Sequence, residues 1–256
     1  MPVKDATQRF SSRVDDYVRC RPGYPPQIIE LLKQECGLTS DSLIADIASG
    51  TGIFTRMLLK NGNRVFGVEP NDDMRRAGER FLAEYPRFTS IAGTAEATTL
   101  PDRSVDLVTA AQAAHWFDRE NARREFIRVL KPSGWLVLVW NDRRIDSTEF
   151  QREYEQLLRT YGTDYELVRQ RGVALAIESF FTRPFQTRAF ESKQTFDYAG
   201  LEGRLLSSSY IPQKDHPHYN PMLRELRRVF DRHQLNSSVS FDYDTRVYYG
   251  RLDQNG

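Results

Sequence analysis

The chain has 256 residues, with 36 Lys and Arg against 35 Asp and Glu and a formal charge of +1. That length can bury the core of one large domain with additions, and its near-balanced charge, spread along the chain, gives no positive field pointing to nucleic acid. No window approaches the roughly 20 consecutive apolar residues of a membrane span, so a soluble protein without a membrane partner is expected.

The N-terminal MPVKDATQRF has no apolar run of the kind a leader carries, and Cys20 and Cys36 have neither metal-ligand spacing nor a second pair. A reducing cytoplasm is the default expectation, and no metal site is expected. RFSSRVDDYVRCRPGYPPQIIELLKQECG then reads as a short helix, a proline-punctuated turn at Arg21–Pro26 and a second helix ending near Gly37.

From residue 40 to about 141, short β-branched runs alternate with segments of helical period, the pattern of a parallel sheet covered on both faces. The strands are expected at about 42–48, 64–70, 87–93, 105–111 and 135–141. Crossover helices fill FTRMLLKNG, NDDMRRAGERFLAEYP and RENARREFIRVLKPSG, with Gly134 as the stop of the last. Phe150, Tyr154, Leu157, Leu158 and Tyr161 then fall on one helical face, and about 145–190 reads as a helical insertion. A strand around Gln186–Phe196, helices near Tyr198–Ser208 and Pro221–His233, and the alternating SVSFDYDTRVYYG complete the chain. One domain is expected over 1–256: an N-terminal helical lid segment (1–39), a core (40–142), the cap insertion (145–190) and a C-terminal part of the sheet (191–256).

The segment IADIASGTGIFT, residues 44–55, places a glycine turn between a strand and a helix. A phosphate loop would close on Lys-Ser or Lys-Thr, where this chain has Gly52-Ile53-Phe54. The dinucleotide fingerprint starting at Gly50 would put Thr55 where its third glycine belongs. Asp46, four residues before Gly50, suits a cation or an ammonium group and would repel a pyrophosphate.

With these residues the chain resembles the class I S-adenosylmethionine-dependent methyltransferases. Their D-x-G-x-G-x-G motif stands here as Asp46-Ile47-Ala48-Ser49-Gly50-Thr51-Gly52, with Ala48 in place of the first glycine. Glu69, followed by Pro70 and 19 residues after Gly50, matches the acid that takes the ribose hydroxyls. Residues 93–118 resemble the adenine-binding turn and fourth strand, which implies that Thr94, Ala95 and Glu96 meet the adenine edge. Met74 would lie against its face, and Gln112 would face the sulfonium side.

Further implications of the resemblance are a Rossmann-like α/β fold with a seven-stranded, mostly parallel sheet, its last strand antiparallel, plus a helical cap, and S-adenosylmethionine as cofactor with S-adenosylhomocysteine as product. Tyr17, Arg21, Tyr24, QAAHWFD and SSSYIP resemble a trans-aconitate methyltransferase-like branch; by analogy Tyr17, Arg21 and Tyr24 lid the pocket, and Arg21 pairs with a carboxylate of cofactor or substrate. Trp116, Trp140, Arg143 and Tyr210 are further candidates for the substrate wall. His115 is either a proton acceptor for the nucleophile or a loop histidine held by hydrogen bonds. Neither the N/D-P-P-Y/F motif of amino-methylating nucleic-acid enzymes nor a Pro-Cys nucleophile is present, so a small-molecule acceptor is expected, methylated most readily on a carboxylate or hydroxyl oxygen, by a monomer or homodimer. The rival readings are an NAD-dependent dehydrogenase and a catalytically silent S-adenosylmethionine-binding protein.

Overall fold

Helix α1, Gln27–Cys36, buries Ile28, Ile29, Leu31 and Leu32 and ends at Gly37, whose φ of 68° turns the chain into the sheet. The computed structural model that shows this describes residues 21–166, 180–181, 184–208 and 210–252. The short helix expected before Arg21 lies outside the described residues.

Strands β1 (Leu43–Ile47), β2 (Arg64–Val68), β3 (Phe88–Ile91), β4 (Val105–Ala111) and β5 (Leu130–Arg143) alternate with α2 (Ile53–Lys60), α3 (Asp72–Phe81) and α4 (Arg119–Val129). The helices begin where the sequence supplies a cap. The Asn71 side chain accepts the amide of Met74 to start α3, and Asp118 accepts that of Asn121 to start α4. Asp72 and Asp73 in the first turn of α3 also oppose the positive end of the helix dipole.

After β5 come α5 (Glu149–Tyr161), β6 (Gln186–Phe196), α6 (Tyr198–Leu206), α7 (Tyr219–His233) and β7 (Val239–Gly250). The seven strands lie in the order β3-β2-β1-β4-β5-β7-β6. β1 to β5 are parallel, whereas β7 runs antiparallel to both of its neighbours. This is the Rossmann-like α/β sheet that the resemblance implies. The crossovers from β1 lead to β2 on one side and, later, to β4 on the other, so the loops at the carboxyl ends of β1 and β4 diverge and open a crevice.

One buried cluster on each face covers the sheet: Phe126, Val129 and Leu138 belong to the first, Ile28, Leu58 and Val137 to the second. A third cluster, including Tyr154, Leu158, Leu205, Leu226 and Phe241, packs α5, α6 and α7 on the projecting end of β7. Two expectations need correction. Gly134 does not stop α4, which ends at Val129; it lies within β5, next to a register shift against β4, where a Cβ would stand 3.0 Å from the Lys131 carbonyl oxygen and 3.1 Å from that of Asp106. The insertion is not helical to residue 190 either, because β6 begins at Gln186 to pair along β7; residues 167–179 lie outside the described residues.

Candidate active site

A cleft of about 670 Å³, counting the space at its open mouth, sits at the carboxyl ends of β1 and β4. One wall is the glycine turn. Gly50 and Gly52 adopt φ values of 57° and 83°, in the left-handed region that glycine enters without steric cost. At Gly52 space adds a second constraint, since a Cβ there would stand 2.6 Å from Leu82 Cδ1. Ala48 also sits at a positive φ, 51°, so the alanine in the motif's first glycine position carries backbone strain.

Two carboxylates hold this turn. Glu69, at the end of β2, accepts the Gly50 amide at 2.9 Å through one oxygen and the Asn71 amide at 2.8 Å through the other. Each oxygen keeps a further lone pair for a ligand hydroxyl. Burial pushes the Glu69 carboxyl above its ordinary range against the opposing pull of those two amides. Asp46 lines the cleft but is only 1% exposed, and its oxygens accept the hydroxyls of Thr55 at 2.6 Å and Thr109 at 2.8 Å. The β1–β4 register puts Asp46 beside Thr109. Burial raises its pKa to about 6, in spite of the two hydroxyls. Thr55, which interrupts the dinucleotide fingerprint, therefore has a positive role: it anchors the acid that precedes the loop.

Behind the turn, Met74 is buried with its Cε 3.5 Å from the position a Gly50 Cβ would take, and the half-buried Pro70 leads into α3. Beyond β3, the Thr94 hydroxyl accepts the amides of Glu96 and Ala97, both at 3.2 Å, Ala95 is buried, and Glu96 accepts the Asp118 amide at 2.9 Å. Gln112 lines the cleft at the end of β4 with φ 61°, a second strained non-glycine residue at this edge.

The opposite wall carries Arg21, Tyr24, Arg143 and two residues not singled out from sequence, Arg204 and Tyr243. Arg21 donates to the Ser207 carbonyl at 2.8 Å, and Tyr24 packs edge-on against Phe54 at 4.9 Å between centroids. Asn141 also lines the cleft; it donates to the Gly23 carbonyl and accepts from Thr245, tying the N-terminal segment to β5 and β7. The buried alternation of β7 already put Tyr243 inside. A lone arginine in the apolar YAGLEGRLL was the only signal for Arg204.

His115 and Trp116 sit in a single 3₁₀ turn after β4. The imidazole lies 4.5 Å from the Trp116 ring and 5.1 Å, edge-on, from Trp140, beside the cleft but not among the residues that line it. Tyr210 packs 4.9 Å from Tyr165, and its carbonyl receives the Thr163 amide. Tyr17 lies outside the described residues. Among the described residues no helix is long and apolar enough to cross a membrane.

Comparison with known proteins agrees with this geometry. Residues 45–138 match a family described as a methyltransferase domain. An uncharacterized methyltransferase of Schizosaccharomyces pombe is 30% identical over 244 residues, covering 93% of this chain and 95% of that protein. An uncharacterized methyltransferase of Mycobacterium bovis is 37% identical over 168 residues, covering 66% of this chain and 65% of its own. In fold, a type II methyltransferase candidate from Anaeromyxobacter dehalogenans superposes with a TM-score of 0.67 at 23% identity, covering 90% of this chain and 97% of that one.

Proposed function

The chain belongs to the methyltransferase family, and on that premise we propose that it transfers the methyl group of S-adenosylmethionine to a carboxylate or hydroxyl oxygen of a small molecule. One observation supports the cofactor above all: two buried carboxylates, Asp46 and Glu69, flank a glycine turn that has no lysine to neutralise phosphate. Such a site repels a pyrophosphate and favours an ammonium group and ribose hydroxyls, which weighs against a nicotinamide dinucleotide.

On this reading Glu69 takes the ribose hydroxyls, Asp46 faces the ammonium end, Met74 and the 94–96 turn flank the adenine, and Gln112 borders the reacting centre. The cofactor, when bound, supplies an electrophilic methyl on a sulfonium. An acceptor carboxylate would bring no proton to remove and a hydroxyl would release its proton to solvent, so the residues named here would need only to hold the two reactants in line. The protein's contribution is placement, which can account for about 7–11 kcal/mol of such a barrier. His115, packed against Trp116 and Trp140 beside the cleft, then supports the acceptor side from behind rather than abstracting a proton, and Tyr24 lines the cleft itself.

The test is release of S-adenosylhomocysteine when the protein is incubated with S-adenosylmethionine and a panel of acids, phenols and amines. Turnover on acids or phenols supports the reading. Binding of NADH in place of S-adenosylhomocysteine would sink it, and tight cofactor binding with no turnover on any acceptor would make the protein a sensor.

A further inference from the structure

We propose that Arg143 and Arg204 form a clasp for a carboxylate of the methyl acceptor, so that the substrate is a small acid bearing a second oxygen, carboxylate or hydroxyl, as the methylated group. The proposal rests on the methyltransferase reading, which assigns the opposite wall of the cleft to the cofactor.

Both arginines line the cleft and both are nearly buried: the Arg143 side chain is 10% exposed and Arg204 7%. Arg143 comes from the last residue of β5, directly opposite Tyr243 of β7, and Arg204 from α6. The Nη2 of Arg143 donates to Glu155 at 2.6 Å and to the Tyr165 hydroxyl at 3.2 Å, whereas its buried Nη1 has no hydrogen-bond partner among the described residues. Arg204 donates through Nη1 to the Ser208 hydroxyl at 3.0 Å, and its buried Nε likewise has no partner there. Buried guanidinium N–H groups without acceptors are costly, and a ligand that supplies acceptors removes that cost.

The local charge count points the same way. Glu155 is the carboxylate that pairs with Arg143, and it is shared with Arg159 at 3.2 Å. Among the described residues no carboxylate lies in ion-pair range of Arg204. Tyr154 and Tyr210 adjoin both guanidinium groups, but burial drives the Tyr154 phenol upward, so it stays neutral and offers no countercharge. Among the described residues these two guanidinium groups meet one shared carboxylate, which leaves this part of the wall positive. A carboxylate is acceptor-only and matches the planar donor edges of arginine, so it satisfies both charge and hydrogen bonding where a neutral amide cannot. Oxygens clasped in this way have their lone pairs engaged, which leaves a different oxygen of the same molecule to attack the methyl group.

Calorimetric titration of the full chain with succinate, citrate and benzoate, with and without saturating S-adenosylhomocysteine, tests the clasp; succinamide is the neutral control. At least one acid should bind and succinamide should not. Arg204→Gln should weaken acid binding about tenfold to a hundredfold, leave S-adenosylhomocysteine affinity within about threefold, and be partly rescued by Arg204→Lys. Arg143→Gln should act in the same direction, with circular dichroism reporting whether its Glu155 pairing is needed for folding. The proposal is overturned if no acid binds, if succinamide binds as well as succinate, or if Arg204→Gln leaves acid binding unchanged. It is overturned too if Arg204→Gln weakens S-adenosylhomocysteine instead, which would place the cofactor's own carboxylate on the arginines. A protein that binds no S-adenosylhomocysteine at all would defeat the cofactor reading itself; one that binds it, but holds acids independently of Arg204, defeats only the clasp.

Discussion

The two walls of the cleft are built on opposite principles. The glycine-turn wall comes from one short stretch and the strand beside it, residues 46–69, and its working parts are backbone amides and two carboxylates. The far wall gathers Arg21, Arg143, Arg204 and Tyr243 from the N-terminal segment, β5, α6 and β7. One wall is acidic and local; the other is cationic and assembled only when β7 has paired with β5 and the three cap helices have packed upon it. The contrast separates what the two walls can tolerate. A local turn is fixed by backbone conformation, whereas the buried Arg143 and Arg204 of the far wall have, among the described residues, the Glu155 carboxylate as their countercharge.

The sharpest way to break the comparison is therefore at that countercharge. Glu155 receives Arg143, Arg159 and the Tyr165 hydroxyl while itself 5% exposed. Arg143 also lies over the rings of Tyr154 and Phe241, at 5.2 and 5.8 Å. Removing one partner of a buried pair leaves the other charge unpaired, so Glu155→Leu should destabilise the protein by about 3–5 kcal/mol. Urea denaturation followed by tryptophan and tyrosine fluorescence would measure it. A loss below about 1 kcal/mol would match a surface pair and dissolve the distinction between the walls.

The same contrast explains how far the sequence could be read. Strand and helix positions in the core follow from period and caps, because each depends on residues within a few places of one another: Asn71 capping α3, Asp118 capping α4, Gly37 ending α1. The acid-flanked turn was legible for that reason, and so was Glu69, although the sequence could not show that its oxygens already hold the Gly50 and Asn71 amides. Thr109 as a partner of Asp46 was invisible, since it depends on register between β1 and β4. Arg204 was invisible for a stronger reason: nothing within α6 says which element its face will meet. Gly134 misled because a glycine after a helix and a glycine inside a crowded, irregular strand look alike in one dimension.

A smaller effect should appear on the acidic wall as pH changes. The Asp46 carboxyl is raised from its ordinary 3.8 to about 6, burial being the main cause. Between those values the unfolded chain has released this proton and the folded chain keeps it, so this group's contribution to stability is present at low pH and is lost as pH rises through about 6. Binding of a cationic ligand has the opposite sign, because it needs the ionised carboxylate. Affinity for S-adenosylhomocysteine, which carries the same ammonium group, should fall by up to about tenfold per pH unit below 6. Calorimetry across pH 5 to 8 would show this slope in the native protein and its loss in Asp46→Asn. A slope that persists in Asp46→Asn would assign the titration to Glu69, whose carboxyl is raised by burial as well.

The smallest expected change lies at Ala48, where the acidic wall departs from its motif. Its φ of 51° costs an alanine about 1–2 kcal/mol relative to right-handed backbone. Glycine relieves that strain but loses about 0.5–1 kcal/mol more backbone entropy on folding. The two effects leave Ala48→Gly more stable than the native protein by at most about 1.5 kcal/mol, a rise of up to about 3–6 °C in the thermal midpoint at this chain length. Scanning calorimetry would resolve it. A fall in the midpoint would mean that the Ala48 methyl group packs usefully against the turn, and the missing glycine would then be a gain in stability at the cofactor wall rather than a strain it carries.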